Sequence, residues 1–235
     1  LVNKLFRVII AKRGEHKIKI NDYVYQLSGP PINDEGQSFL IKKDGCNVVV
    51  DSGAYGELAF QNMLYWGVHP KDVKILVNTH AHVDRAGGDW IFHSYGISIA
   101  AGERDAIAIQ RAEEKYMAAD IIGIKPKSTP VGWMIKDDTR LCEDVEIILT
   151  PGHTKGSLAL VVEDVIVAGD IFGPLCKRWE SNEEEWLKTL EKIERLDPTI
   201  LCTNNLCIHS RRKVKESIEY VKMQDPPWLS LDGCK

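Results

Sequence analysis

The stretch that most constrains this chain is Asn78-Thr79-His80-Ala81-His82-Val83-Asp84-Arg85-Ala86-Gly87-Gly88. It follows Val73 to Val77, an apolar run broken only by Lys74, which predicts a short buried strand. Two histidines two residues apart, with an aspartate two further on, can turn toward one centre as the chain leaves that strand. Three ligand-type side chains this close together point to a metal loop rather than to a strand end capped by stray histidines. Imidazole suits zinc, iron or nickel, and the carboxylate oxygen widens that choice. The loop therefore fixes where one strand has to end.

Further landmarks follow in order: Pro151-Gly152-His153-Thr154 and Val167-Ala168-Gly169-Asp170, with Gln37 to Ile41 and Val48 to Gly53 upstream. Together with His80-x-His82-x-Asp84, these resemble the motifs of the metallo-β-lactamase superfamily from about Ser38 to about Asn205. The resemblance implies an α+β fold, a four-layer αββα sandwich, spanning residues 1–235 as a single domain. On their own, composition and periodicity give only mixed α and β.

The resemblance assigns metal ligands residue by residue. His80, His82 and His153 supply three neutral imidazoles, a set that leaves an open position on a catalytic zinc. Asp170 bridges two metals or completes a single site, and the small residues before it let the backbone come close. Asp84 is a second-metal ligand in a dinuclear relative; with one metal it guides the attacking water as a catalytic residue. Two positions depart from the family pattern. Arg85 stands where the family usually carries histidine, and arginine stays protonated and cannot ligate. Asn205 falls where the last family histidine is expected, with His209 four residues later as a substitute ligand or a plain helix-entry residue. The expectation is one tight zinc site, with iron or a second metal as the alternatives. Arg85 either salt-bridges Asp51 or another buried carboxylate, or faces the pocket and holds a phosphate or carboxylate.

The implied activity is hydrolysis, with metal-bound hydroxide attacking an ester, thioester, lactone or phosphoester. A persulfide dioxygenase-like oxidoreductase would use iron on His80, His153 and Asp170, although that group normally keeps histidine at the Arg85 position. A non-catalytic relative with a structural metal is the third reading. The ligand pattern argues against β-lactam hydrolysis, and the missing β-CASP insertion after Asp170 argues against a nuclease.

Composition sets the remaining bounds. A net charge of −4 over 235 residues leaves no electrostatic footprint for nucleic acid. No apolar run approaches the ~20 residues a membrane span needs. The partner expected is a small-molecule substrate, with a homo-oligomer left open; Trp133, Trp179 and Trp186 are candidates for a dimer face, the pocket or the core. Leu1 to Lys12 does not read as a signal peptide. Six cysteines without CxxC spacing predict no disulfide framework and a cytoplasmic setting, with Cys202 and Cys207 close enough in sequence to pair.

Strands are expected at Leu5 to Ile10, His16 to Leu27, Ser38 to Lys42, Asn47 to Asp51, Asp72 to Asn78, Ile97 to Ala101, Gly132 to Lys136, Val145 to Thr150, Ser157 to Glu163, Val165 to Ala168 and Thr199 to Cys202. Helices are expected at Gly56 to Trp66, Asp89 to Tyr95, Glu103 to Ala119, Asn182 to Leu196 and, capped by Ser210, Ser210 to Met223. Ile121 to Pro130 reads as a loop over the site.

Overall fold

A computed structural model describes residues 18–43 and 45–234. The strand expected at Leu5 to Ile10, and His16 and Lys17 of the next expected strand, lie outside those residues.

The first sheet takes its strands in sequence order: β1 (Ile18–Lys19), β2 (Val24–Ser28), β3 (Ser38–Lys43), β4 (Cys46–Val50), β5 (Val73–Val77), β6 (Ile99–Gly102) and β7 (Trp133–Ile135). Its first four strands pair antiparallel, whereas β4 to β7 run parallel because helices carry the chain back between them. The second sheet runs β13 (Leu206–His209), β12 (Ile200–Thr203), β11 (Val165–Val167), β10 (Leu158–Val162), β9 (Val145–Leu149) and β8 (Thr139–Cys142). In that sheet β11 and β12 are the parallel pair, and the helix Glu183–Leu196 crosses between them.

Alternation decides which face each strand turns inward. Phe39, Ile41, Val48 and Val50 meet Ile147, Leu158, Leu160 and Val167 between the sheets, forming the central core. Leu40, Val49 and Leu76 point the other way, onto α1 (Glu57–Tyr65), α3 (Asp89–Ser94) and α4 (Glu103–Arg111). Ile148, Ala159 and Ile166 pack beneath α6 (Glu183–Leu196) and α7 (Arg211–Lys222) through Trp186, Leu190, Ile193, Val214 and Ile218. The result is the expected helix–sheet–sheet–helix layering.

Several local expectations are corrected, beginning with the strand expected from His16 to Leu27, which breaks into β1 and β2 at a turn where Asn21 Oδ1 accepts Tyr23 N and Val24 N. The helix expected to run to Ala119 stops at Arg111, where Ala112 takes a left-handed φ of 49°. The chain then doubles back so that Met117 O can accept Val83 N at 3.0 Å, before the short α5 (Ala119–Ile122). Strands β8 and β13 form edges that periodicity did not predict, since neither has a clean buried face. Asn204 and Asn205 connect β12 to β13 with φ values of 45° and 63°, the two-residue left-handed turn that asparagine tolerates. Ser210 does not cap α7 through its side chain; its φ is 105° and its carbonyl accepts Val214 N instead.

The cysteines are also corrected. All six pair, as Cys46–Cys142, Cys176–Cys234 and Cys202–Cys207. Only the last links neighbours in sequence, across facing residues of β12 and β13. The first joins the start of β4 to the end of β8, one sheet to the other. No helix among the described residues is long and apolar enough to cross a membrane.

Candidate metal centre

The site lies where strand ends from both sheets release their loops. Strand β5 ends at Val77, and Asn78 to His82 turn over its tip before the one-turn α2 (Val83–Ala86). Leu158 N donates to Thr79 O at 2.7 Å, so the second sheet is tied directly to this loop. On the other side, β9 ends at Leu149 and β10 begins at Leu158, and the intervening Pro151 to Gly156 turn carries His153. Gly152 permits that turn: its φ is 137°, and a Cβ there would stand 2.4 Å from the Trp186 Cα.

His80, His82 and His153 converge, each nearly fully buried, with ring centroids 4.6 to 4.7 Å apart. Their candidate ligand atoms all lie within 4.8 Å of one another. His153 Nδ1 is 2.6 Å from Pro174 O, which fixes the N–H on that side and turns the Nε2 lone pair inward. His80 Nδ1 is 3.2 Å from Thr79 Oγ1, and that hydroxyl donates to Asp51 Oδ2 at 2.8 Å. This relay leaves His80 Nε2 buried without a partner among the described residues. His82 Nδ1 stands 3.2 Å from His153 Nε2. Two nitrogens held by one tetrahedral ion at ~2.0–2.1 Å would be about 3.3 Å apart, so this spacing fits a shared metal. Burial, reinforced by the neighbouring imidazoles and by Arg85, pushes His80 and His82 well below the usual histidine range, which keeps them neutral as ligation requires. The donor set fits a divalent ion.

The acidic residues complete one side. Asp170 Oδ2 lies 4.0 Å from His153 Nε2, while Oδ1 accepts Arg85 Nη2 at 2.5 Å. Arg85 is buried; its Nη1 donates to Asn205 Oδ1 at 2.9 Å, and its Nε lies 3.7 Å from Asp84 Oδ2. Burial opposes its charge, but Asp170, Asp84 and Asp51 together hold it protonated beyond the ordinary arginine range. Burial also pushes the Asp84 carboxyl up, against the pull of Arg85. The same effect raises Asp51 to about 7, with Arg85 and the Thr79 hydrogen bonds opposing. His209 is not part of this cluster. It ends β13 opposite Ile200, four residues and about 13 Å of strand beyond Asn205, and is exposed.

Asp105 was not expected at the site, and of the three tryptophans left open between dimer face, pocket and core, Trp179 joins it. Asp105, on the first turn of α4, is fully buried and accepts four hydrogen bonds: Ala81 N at 2.7 Å, Gly156 N at 2.8 Å, Thr154 Oγ1 at 2.9 Å and Tyr116 Oη at 2.8 Å. It ties the His80–His82 loop to the His153 loop. Burial drives its pKa up, against those four hydrogen bonds. Trp179 packs its ring 4.3 Å from His82 and 5.4 Å from His153, closing the apolar side. Nothing local in the sequence marks Asp105, because it acts through partners distant along the chain. Beside the metal loop, Ala54, Tyr55, Gly87, Trp90, Ile124, Lys125 and Lys127 line a cleft of about 350 Å³. Ile121 to Pro130 thus borders that cleft.

The model of the metallo-β-lactamase superfamily matches residues 33–203. A probable metallo-hydrolase of Methanocaldococcus jannaschii is 27% identical over 188 residues, 77% of this chain and 84% of that protein. An N-acyl homoserine lactonase from a Bacillus species is 29% identical over 176 residues, 72% of this chain and 62% of the lactonase's length. Among solved structures, a mutant HARLDQ-motif metallo-β-lactamase from Cronobacter sakazakii superposes with a TM-score of 0.71 at 18% identity, covering 88% of this chain and 94% of that one. That likeness speaks for the fold. The chain belongs to the metallo-β-lactamase superfamily, as a hydrolase-type enzyme of that family.

Proposed function

We propose that this protein hydrolyses a small carboxylic ester or lactone with a single zinc ion held by His80, His82 and His153. The observation that carries this reading is the 3.2 Å approach of His82 Nδ1 to His153 Nε2, beside a His80 Nε2 that has no partner among the described residues. Either a cation or the Nδ1–H of neutral His82 can lie between those two nitrogens; the buried His80 Nε2, unpartnered among the described residues, favours the cation. A zinc ion bound there supplies a Lewis acid and lowers the pKa of a coordinated water toward neutrality.

The protein's own groups do the rest. The Pro174 carbonyl and the Thr79–Asp51 relay lock the rings of His153 and His80, so that no reorientation is needed at turnover. Asp170 turns Oδ2 toward the imidazoles, and the partly exposed Asp84 stands at the edge of the centre to orient water and take its proton. Trp179 keeps bulk water off His82 and His153. The cleft lined by Tyr55, Trp90 and Lys125 adjoins the metal loop at Gly87, and none of the three histidines lines it. The similarity to an N-acyl homoserine lactonase favours a lactone within the ester class.

An iron-dependent oxidoreductase on His80, His153 and Asp170 would leave His82 without a role, although it is placed as closely as the other two. Three disulfides fit an oxidising compartment, or the interior of a thermophile, better than an ordinary reducing cytosol.

The test is a panel of lactones, esters, thioesters and phosphoesters with zinc-loaded protein and the His82→Ala variant. Hydrolysis of a lactone or ester, lost by two orders of magnitude or more in the variant, is expected. Full activity in His82→Ala would remove the site assignment.

A further inference from the structure

The second half of the centre holds a cation that belongs to the chain. The Arg85 guanidinium sits between Asp84 and Asp170, with Asn205 Oδ1 on Nη1 at 2.9 Å and the Gln37 carbonyl 3.5 Å from the same nitrogen. Its side chain is 2% exposed. The two oxygens of Asp170 divide the work: Oδ1 is bound to the guanidinium and Oδ2 faces the imidazoles, 4.0 Å from His153 Nε2. Were a metal held by the three imidazoles, Asp170 would stand between it and the guanidinium.

We propose that Arg85 is a tethered substitute for a second metal ion, so that Asp170 links one metal to one guanidinium and the centre closes with a single ion. The inference rests on the reading of the three histidines as the metal site. Three physical points carry it. A guanidinium stays charged at every pH the protein meets, so the charge it supplies is permanent. Its planar fork satisfies several oxygens at once, and here Asp170, Asn205 and Gln37 are all drawn to it. A metal seeking Asp84 and Asp170 would also have to sit beside that fixed positive charge, in a buried setting where charges are poorly screened.

The surrounding chain holds Arg85 in place. Its carbonyl accepts Ser52 N at 2.7 Å and Ser52 Oγ at 2.9 Å, which anchors α2 to the end of β4. Gly36 leaves no space for movement above α2, since a Cβ there would stand 2.0 Å from Asp84 O. The left-handed turn at Asn204 and Asn205 delivers the amide oxygen from the opposite sheet. A purely structural arginine could make the same contacts without governing how many ions bind. The test therefore reads metal number.

Metal-free protein would be dialysed against a tenfold excess of zinc chloride and then analysed for zinc per chain, for the wild type, Arg85→Lys and Arg85→His. One equivalent is expected for the wild type and Arg85→Lys. Two are expected for Arg85→His, in which the fixed cation is gone and an imidazole takes its place. Two equivalents in the wild type, or one in folded Arg85→His, would overturn the role of Arg85 while leaving the histidine site standing. No zinc in the wild type would overturn the histidine site and this inference with it. If Arg85→His does not fold, zinc per chain in folded Arg85→Gln decides: more than one equivalent is expected once the fixed cation is gone, and one equivalent would overturn the proposal.

Discussion

At the scale of single residues, the informative position is Asp105, because it makes the ligand geometry without being a ligand. Its two oxygens receive backbone N–H groups from both histidine loops, Ala81 between His80 and His82 and Gly156 just past His153. Asp105→Asn keeps the shape but presents an amide NH₂ to groups that are themselves donors. Two of the four bonds are lost, and the loops can drift apart. Removing such supporting partners weakens metal affinity by ~10–100-fold. Chelator competition on the zinc-loaded variant should show a loss of that order with the circular dichroism spectrum unchanged. Equal affinity in the two proteins would reduce Asp105 to ordinary scaffold. In the sequence, Asp105 is one charged residue beside Glu103 and Arg104 at a helix start, and its burial depends on Tyr116 folding back after the helix breaks at Ala112. The convergence of the histidines was legible because ligand chemistry is concentrated in their motifs, whereas Asp170 was assigned only through the resemblance. Arg85 was legible as a departure, but its partners Asp170 and Asn205 lie 85 and 120 residues away.

At the scale of elements, strand ends and helix starts are locked together by buried polar pairs, which make the assembly sensitive to pH. Asn78 at the tip of β5 donates Nδ2 to Asp89 Oδ2 on the first turn of α3 at 2.6 Å. Asp89 is fully buried, and burial raises its pKa to about 8 against the opposing hydrogen bonds from Ser52 and Asn78. A carboxyl whose folded pKa is raised favours folding in its neutral form. Its contribution is complete below the unfolded value of ~3.9 and is lost as the pH rises through about 8. Thermal midpoints taken from about pH 5 to about pH 9 should therefore fall more steeply for the wild type than for Asp89→Asn. Parallel curves would contradict this assignment. The elements themselves were largely readable from apolar periodicity, as for α1, α6 and β5. Strands β8 and β13 were not, because an edge strand has no buried face to impose alternation.

At the scale of the whole molecule, two sheets meet through one apolar core and release their loops at a common end, where the site forms. This layering was legible only through the resemblance that the spaced motifs carry, since composition and periodicity gave no more than mixed α and β. Cysteine pairing was not: Cys46–Cys142 and Cys176–Cys234 close separations of 96 and 58 residues, which no local spacing reveals. Cys202 and Cys207 were readable as neighbours, and their strands place them opposite each other. The central claim is that one divalent ion joins His80, His82 and His153 between the sheets. Elemental analysis of metal per chain, on protein purified without added metal and on His153→Ala beside it, tests this most directly. About one equivalent of zinc is expected in the wild type, and its loss in the variant. Zinc retained in full by His153→Ala would contradict that claim.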